Sequence, residues 1–358
     1  MQFSRYLYER CEIEASFINT LLKGKHAETT FWISELFLSG WYQETIDLLW
    51  QVYYDFYYVY NSTLERKMYK LLTASTPPDK STLKSVLIVT HTLLTLKHSS
   101  HTFEVRMIAN NYPEIDINII YKKLPKSYNK YKNKHFVRSV ERGHIINVAH
   151  HLQTTGVELL LPDIMILMNV SVIKKLHTKK VDRHRHMLVA KLNKCMWVKQ
   201  NNGIKIPRIV LSVLTANQEK MINSDETLCI PANPSKVLED GRKFAIDDDI
   251  GMNHFFLPRF NINSPNEGNK RGNEVKHNVY FHWEYYAYET PIWRERFNIF
   301  KAFQNHETNE INFPTDELAE AFYQKYGYEP DEQSRETDEK STKNIEEISY
   351  DVWILRIS

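Results

Sequence analysis

The histidines come in close pairs, His98/His101, His150/His151 and His184/His186. An imidazole ligates metal or moves a proton near neutral pH, so these pairs are the first candidates for chemistry. His184-Arg185-His186 with Cys195 has the ligand types of a catalytic zinc site, in which three protein ligands leave a position for water. The intervening arginine and neighbouring lysines raise the local positive potential, which opposes a divalent cation and favours surface histidines on a basic helix. Asp247-Asp248-Asp249 before Ile250-Gly251 could hold magnesium through one or two carboxylates, but it lacks the spaced acids and terminal glutamate of a calcium loop, and a triple-acid loop is more often just solvated. Phosphate-cradling glycine motifs and a Gly-x-Ser-x-Gly nucleophile turn are absent. Cys195 and Cys229 sit beside Met196-Trp197 and Leu228 with no identifiable base, as small packed hydrophobes do. No catalytic residue, cofactor or metal ligand is therefore nominated. A metal-dependent enzyme acting on phosphate esters stays as an alternative.

Charge and aromaticity carry the stronger signal. The chain has a formal net charge of only +2, yet Lys122–Lys199 holds 17 lysines and arginines against 4 acids, and Glu307–Asp351 holds 14 acids against 4 basic residues. Such segregation means either a basic surface that attracts phosphate or an intramolecular pairing of basic body with acidic tail. Residues 126–135 interleave cations with aromatic rings, a pattern suited to backbone contact plus base stacking on RNA or single-stranded DNA. The expected nucleic-acid contacts are Lys130, Lys132, Lys134, Arg138, Lys179, Lys180, Arg183 and Arg185 for phosphate, with Tyr128 and Tyr131 stacking. A solvated helix face and a lysine-rich loop would give the same composition. Aromatic runs at 53–60 and 280–288 are dense enough to surround a helix, which suits core packing or a protein interface. Tyr57, Tyr58, Tyr60, Trp293, Arg294, Tyr326 and Tyr328 are the expected protein-interaction residues.

The elements that must position these residues read as mainly helical. Ten glycines in 358 residues is sparse, and no strict alternation recurs at the spacing of a sandwich or barrel. Apolar residues at three-and-four spacing predict three antiparallel helices before residue 72, with turns at Lys23-Gly24-Lys25 and Ser39-Gly40. Pro77-Pro78-Asp79 ends that unit, and Asp79 or Ser81 caps a helix over Leu83–Lys97. Phe136–Leu152 reads as a second helical hairpin hinged at Arg142-Gly143-His144, with a weak F-[IV]-x-[TS]-[LV]-x-[KR]-G echo of Phe17–Gly24. Four units follow: an N-terminal helical unit at 1–76, a basic helical unit at 77–200, a loop-rich segment with aromatic helices at 201–305, and an acidic tail at 306–358. The expected architecture is helical hairpins, solenoid- or bundle-like, with a loop-rich insertion that has room for a few short strands. Three widely spaced cysteines fit a reducing compartment. The apolar run Leu159–Ile173 contains Pro162, Asp163 and Asn169, and is too short and polar to cross a bilayer, so no membrane partner is expected.

Strings at both ends of the chain resemble an uncharacterised conserved protein family of the nucleocytoplasmic large DNA viruses, the giant viruses. They are Thr30-Phe31-Trp32-Ile33-Ser34-Glu35-Leu36 with Leu48-Leu49-Trp50-Gln51-Val52-Tyr53-Tyr54-Asp55-Phe56-Tyr57, then His282-Trp283-Glu284-Tyr285-Tyr286 with Pro291-Ile292-Trp293-Arg294-Glu295-Arg296, and finally 322–333. The resemblance implies expression in a host cytoplasm, at a viral factory or in the virion, with viral or host proteins as partners. It carries no catalytic residue. The expected function is a non-catalytic helical scaffold or subunit in viral nucleic-acid transactions, the alternative being a structural or interaction component of the particle or factory.

Overall fold

The computed structural model describes residues 2–106, 124–163 and 282–326, a few single positions aside, together with Leu228. These residues are mainly helical, with one two-stranded sheet. They belong to two compact units, each assembled from segments far apart in sequence.

The first unit takes the described residues of 1–48, 72–94 and 229–356. It opens with α1 (Arg10–Leu22) and α2 (His26–Leu38), followed by the start of α3 (Tyr42–Val52). These are the three expected helices, joined where Gly24 and Gly40 adopt positive φ. α2 is apolar on most of its circumference and is covered by both α1 and α5 (Leu83–Leu94). Asp79 caps the turn leading into α5: its carboxylate accepts from Ser81 N–H at 2.9 Å, while Thr82 Oγ1 accepts from Asp79 N–H at 3.2 Å.

The same unit contains α8 (Trp283–Ala287), α9 (Pro291–Ile299, with proline as its first residue), and an antiparallel hairpin, β1 (Phe303–Asn305) with β2 (Glu310–Asn312). α10 (Asp316–Tyr326) completes it. The stretch read from sequence as the beginning of an acidic tail is thus folded as far as Tyr326. Leu318, Phe322 and Tyr326 recur at four-residue spacing, and this single stripe suffices for a helix lying on a surface. Phe322 is fully buried and stacks on Phe297 at 4.7 Å. Acids on the remaining faces dominate the composition and hide the stripe.

The second unit takes the described residues of 49–71 and 95–228. Its core is the aromatic run. After α3 the chain makes one wide π-turn, Tyr53–Tyr57, and continues to α4 (Leu64–Leu72). Trp50 stacks on Tyr54 at 5.7 Å, and Phe56 stacks on Phe103 at 4.9 Å. Tyr53 Oη donates to the Asn61 carbonyl at 2.8 Å, and Tyr54 Oη to Glu65 at 3.2 Å, so these two buried phenols keep partners. α6 (Lys134–Arg142) and α7 (Ile145–Thr155) form the second hairpin at the expected place.

Candidate nucleic-acid interface

Residues 126–130 form one short 3₁₀ turn directly before α6. Pro125, with φ −54°, starts it, and Tyr131 returns to extended backbone. Two acids, half-buried Glu141 and buried Asp163, then fix the turn. Tyr128 Oη donates to the Glu141 carboxylate, and Arg138 Nη1 donates to Tyr128 Oη at 2.8 Å while lying 3.5 Å from Glu141. Asp163, only 1% exposed, accepts from the backbone N–H of Lys132 at 2.9 Å and of Asn133 at 2.6 Å, and from Asn133 Nδ2 at 2.9 Å. Its carboxylate thereby supplies the start of α6 with an acceptor and a favourable negative charge.

The lysines stand outside this lock. Lys126, Lys130 and Lys132 are exposed, and Lys134 is half-exposed with Nζ 2.9 Å from Asn129 Oδ1. Arg138 is committed to Tyr128 and Glu141, so its expected role as a phosphate contact becomes a structural one. The two rings expected to stack on bases are buried, Tyr128 to 6% and Tyr131 to 4% exposure. The expectation is corrected by what surrounds them: the Arg138 guanidinium lies 5.6 Å from the Tyr128 centroid, and Lys130 Nζ lies 4.9 Å from that of Tyr131. Burial first, then the Glu141 bond, raises the Tyr128 phenol. Burial and nearby Glu141, Tyr128 and Asp163 push Tyr131 up to about 12. Both phenols are neutral at physiological pH.

The arrangement extends over the described part of this unit. Asp55 pairs with Arg106 at 2.8 Å, Glu65 and Glu104 accept from Tyr54 and Ser100, Glu141 from Tyr128, and Asp163 from backbone. None of these five carboxylates is exposed, whereas Arg66, Lys70, Lys97, Lys126, Lys130, Lys132 and Arg142 are. The first unit differs: Asp47, Asp79, Glu289, Glu295, Glu307, Glu310, Asp316, Glu317 and Glu320 are all exposed there. Sequence counting finds the basic excess but not that its acids are internal. The one available signal was Asp163 itself, an acid interrupting an apolar run.

The expected protein-interaction residues divide. Tyr57, Tyr58, Tyr60 and Trp293 are buried. The three tyrosines are core residues of the second unit, at and just after the π-turn, and Trp293 is a core residue of the first, packed on Trp283 at 5.3 Å and Phe297 at 5.9 Å, so none of the four offers a docking face. Arg294 is exposed, 5.8 Å over Tyr288 and 3.6 Å from Glu289. Tyr326 is half-buried against Phe322 at 5.1 Å. Lys179, Lys180, Arg183, Arg185 and Tyr328 lie outside the described residues, as do His184, His186, Cys195 and Asp247–Asp249. Among the described residues no group of three His, Cys, Asp or Glu side chains is placed to hold a metal ion, and no helix is long and apolar enough to cross a membrane.

No family model, curated protein or solved structure matches the chain.

Proposed function

We propose that this chain is a non-catalytic helical scaffold whose second unit contacts nucleic-acid phosphates through the turn bearing Lys126, Lys130, Lys132 and Lys134. The observation that carries the reading is the sorting of charge in that unit: none of its described carboxylates is exposed, whereas Arg66, Lys70, Lys97, Lys126, Lys130, Lys132 and Arg142 are. A surface with cations and no exposed counter-charge attracts polyanions and releases their counterions on binding. The resemblance of the chain's two ends to the giant-virus family supports a viral transaction, at a factory in the host cytoplasm or in the particle.

The test is binding of the full chain to fluorescent nucleic acid across a salt series, beside the variant carrying Lys126→Gln, Lys130→Gln, Lys132→Gln and Lys134→Gln. Each phosphate contact removed is expected to flatten the plot of log affinity against log salt by about 0.7–0.9. An unchanged slope in a variant with wild-type circular dichroism overturns the proposal.

Contacts with viral or host proteins have separate support in the first unit, where Ile299 and Phe303 are 57% and 52% exposed. If that face joins copies of the chain, Ile299→Glu with Phe303→Glu will slow self-association in sedimentation velocity. Unchanged sedimentation removes self-association through this face from the reading.

A further inference from the structure

We infer that the lysine turn reads the phosphate backbone of duplex nucleic acid and takes no base. This rests on the proposed phosphate-binding role and narrows it to one ligand class.

Single-strand binding draws on stacking, worth about 1–3 kcal/mol per base where an aromatic face is open. Here the interleaved tyrosines that suggest such a platform are enclosed, with Tyr128 held between Glu141 and Arg138 and Tyr131 covered by Lys130. Among the described residues of the second unit every Phe, Tyr and Trp is buried except Tyr69, which is half-buried, so the exposed ring beside the turn is the small imidazole of His135. What the turn offers a ligand is therefore charge, with no open tyrosine face. Charge alone favours the form with the denser phosphates, and duplex DNA carries about one charge per 1.7 Å of axis.

Rigidity points the same way. Tyr128 is tied to α6, and the amides of Lys132 and Asn133 are tied to Asp163, so the lysines leave the backbone from fixed positions. A fixed array suits a regular ladder of phosphates, whose bases are already stacked on one another. A flexible strand would have to be ordered on the array without an open tyrosine to hold it.

The experiment measures anisotropy of the full chain with three probes of equal length: duplex DNA, single-stranded DNA, and a single strand of abasic sugar phosphates. The expected order places the duplex tightest, with normal and abasic strands within about twofold of each other, since no base stacks. On the duplex, the four Lys→Gln changes are expected to lower the salt slope by about 3.6, at 0.9 per contact. Tyr131→Leu is expected to leave the single-strand affinity within about twofold, with circular dichroism reporting whether the turn still folds.

A single strand that binds about tenfold more tightly than its abasic counterpart overturns the inference while leaving the phosphate surface standing. Single-strand binding equal to or tighter than duplex binding overturns it too. Failure of all three probes to bind at low salt overturns the proposed function, and the inference falls with it. The abasic comparison uses the unaltered protein, so the question is answered even if Tyr131→Leu does not fold.

Discussion

Trp293 Nε1–H donates to the carbonyl of Ser4 at 2.8 Å, joining positions 289 residues apart. Beside it Thr290 Oγ1 donates to the Phe3 carbonyl, and Ile292 N–H donates to Ser39 O at 3.2 Å. The N-terminal segment also meets α2, where Arg5 Nε lies 2.6 Å from the buried Glu35 carboxylate. α9 and the end of α2 are thereby held by the same N-terminal residues and by each other. Trp293→Phe keeps a ring against Trp283 but removes the indole donor and with it this bond to Ser4. The expected loss is about 1–2 kcal/mol in urea unfolding, and a midpoint equal to wild type would show that the bond contributes nothing.

Gly40 offers a second check on the same junction. Its φ is +92°, and an added Cβ would stand 2.7 Å from Pro291 Cβ. Gly24 has φ +67° with nothing within 4 Å of that position. Alanine at either site carries the left-handed backbone cost of about 1–2 kcal/mol, but only at Gly40 must α9 also move. Gly40→Ala is expected to lower the melting temperature more than Gly24→Ala, and equal losses would show that the contact with Pro291 yields freely.

The helices were legible because each carries its own signal. Gly24 and Gly40 stand where α1, α2 and α3 are separated, Pro291 opens α9, and Asp79 caps the turn before α5 as its position beyond two prolines suggests. What was not legible is partnership across distance. Tyr128 and Glu141 are 13 residues apart and Asn133 and Asp163 30, with no periodicity to announce either pair. A tyrosine between lysines has the same composition whether its ring faces solvent or an inward glutamate, so the sequence pattern suggested stacking where the fold gives a lock. Phe322 was hidden for a related reason: one buried ring is enough to dock α10, and one ring does not alter an acidic average.

The Asp55–Arg106 pair supplies a test of what the π-turn holds. Arg106 Nη2 is 2.8 Å from Asp55 Oδ2, both side chains are buried, and the guanidinium lies 5.2 Å over the Phe103 ring. Arg106→Leu leaves a buried carboxylate without its guanidinium, and the expected destabilisation is about 3–5 kcal/mol. Asp55→Leu combined with Arg106→Leu removes the charge as well and is expected to recover part of that loss. A double variant no more stable than Arg106→Leu alone, measured by chemical denaturation, would contradict this account.

His151 makes the stability of the second unit depend on pH. Its ring packs edge-on against Phe136 at 6.0 Å, with His150 at 5.7 Å. Burial, then the like charges of His150 and His135, lower its pKa from 6.5 to about 4. Between these values the unfolded chain binds the proton and the folded chain does not, so stability is fully present above pH 6.5 and declines until the pH reaches about 4. His98, lowered by burial, acts with the same sign in this unit. His151→Gln removes one titrating group and is expected to shrink, without abolishing, the fall in melting temperature across that window. Thermal melts of both proteins through the window decide the matter, since parallel curves would mean that His151 titrates normally in the fold.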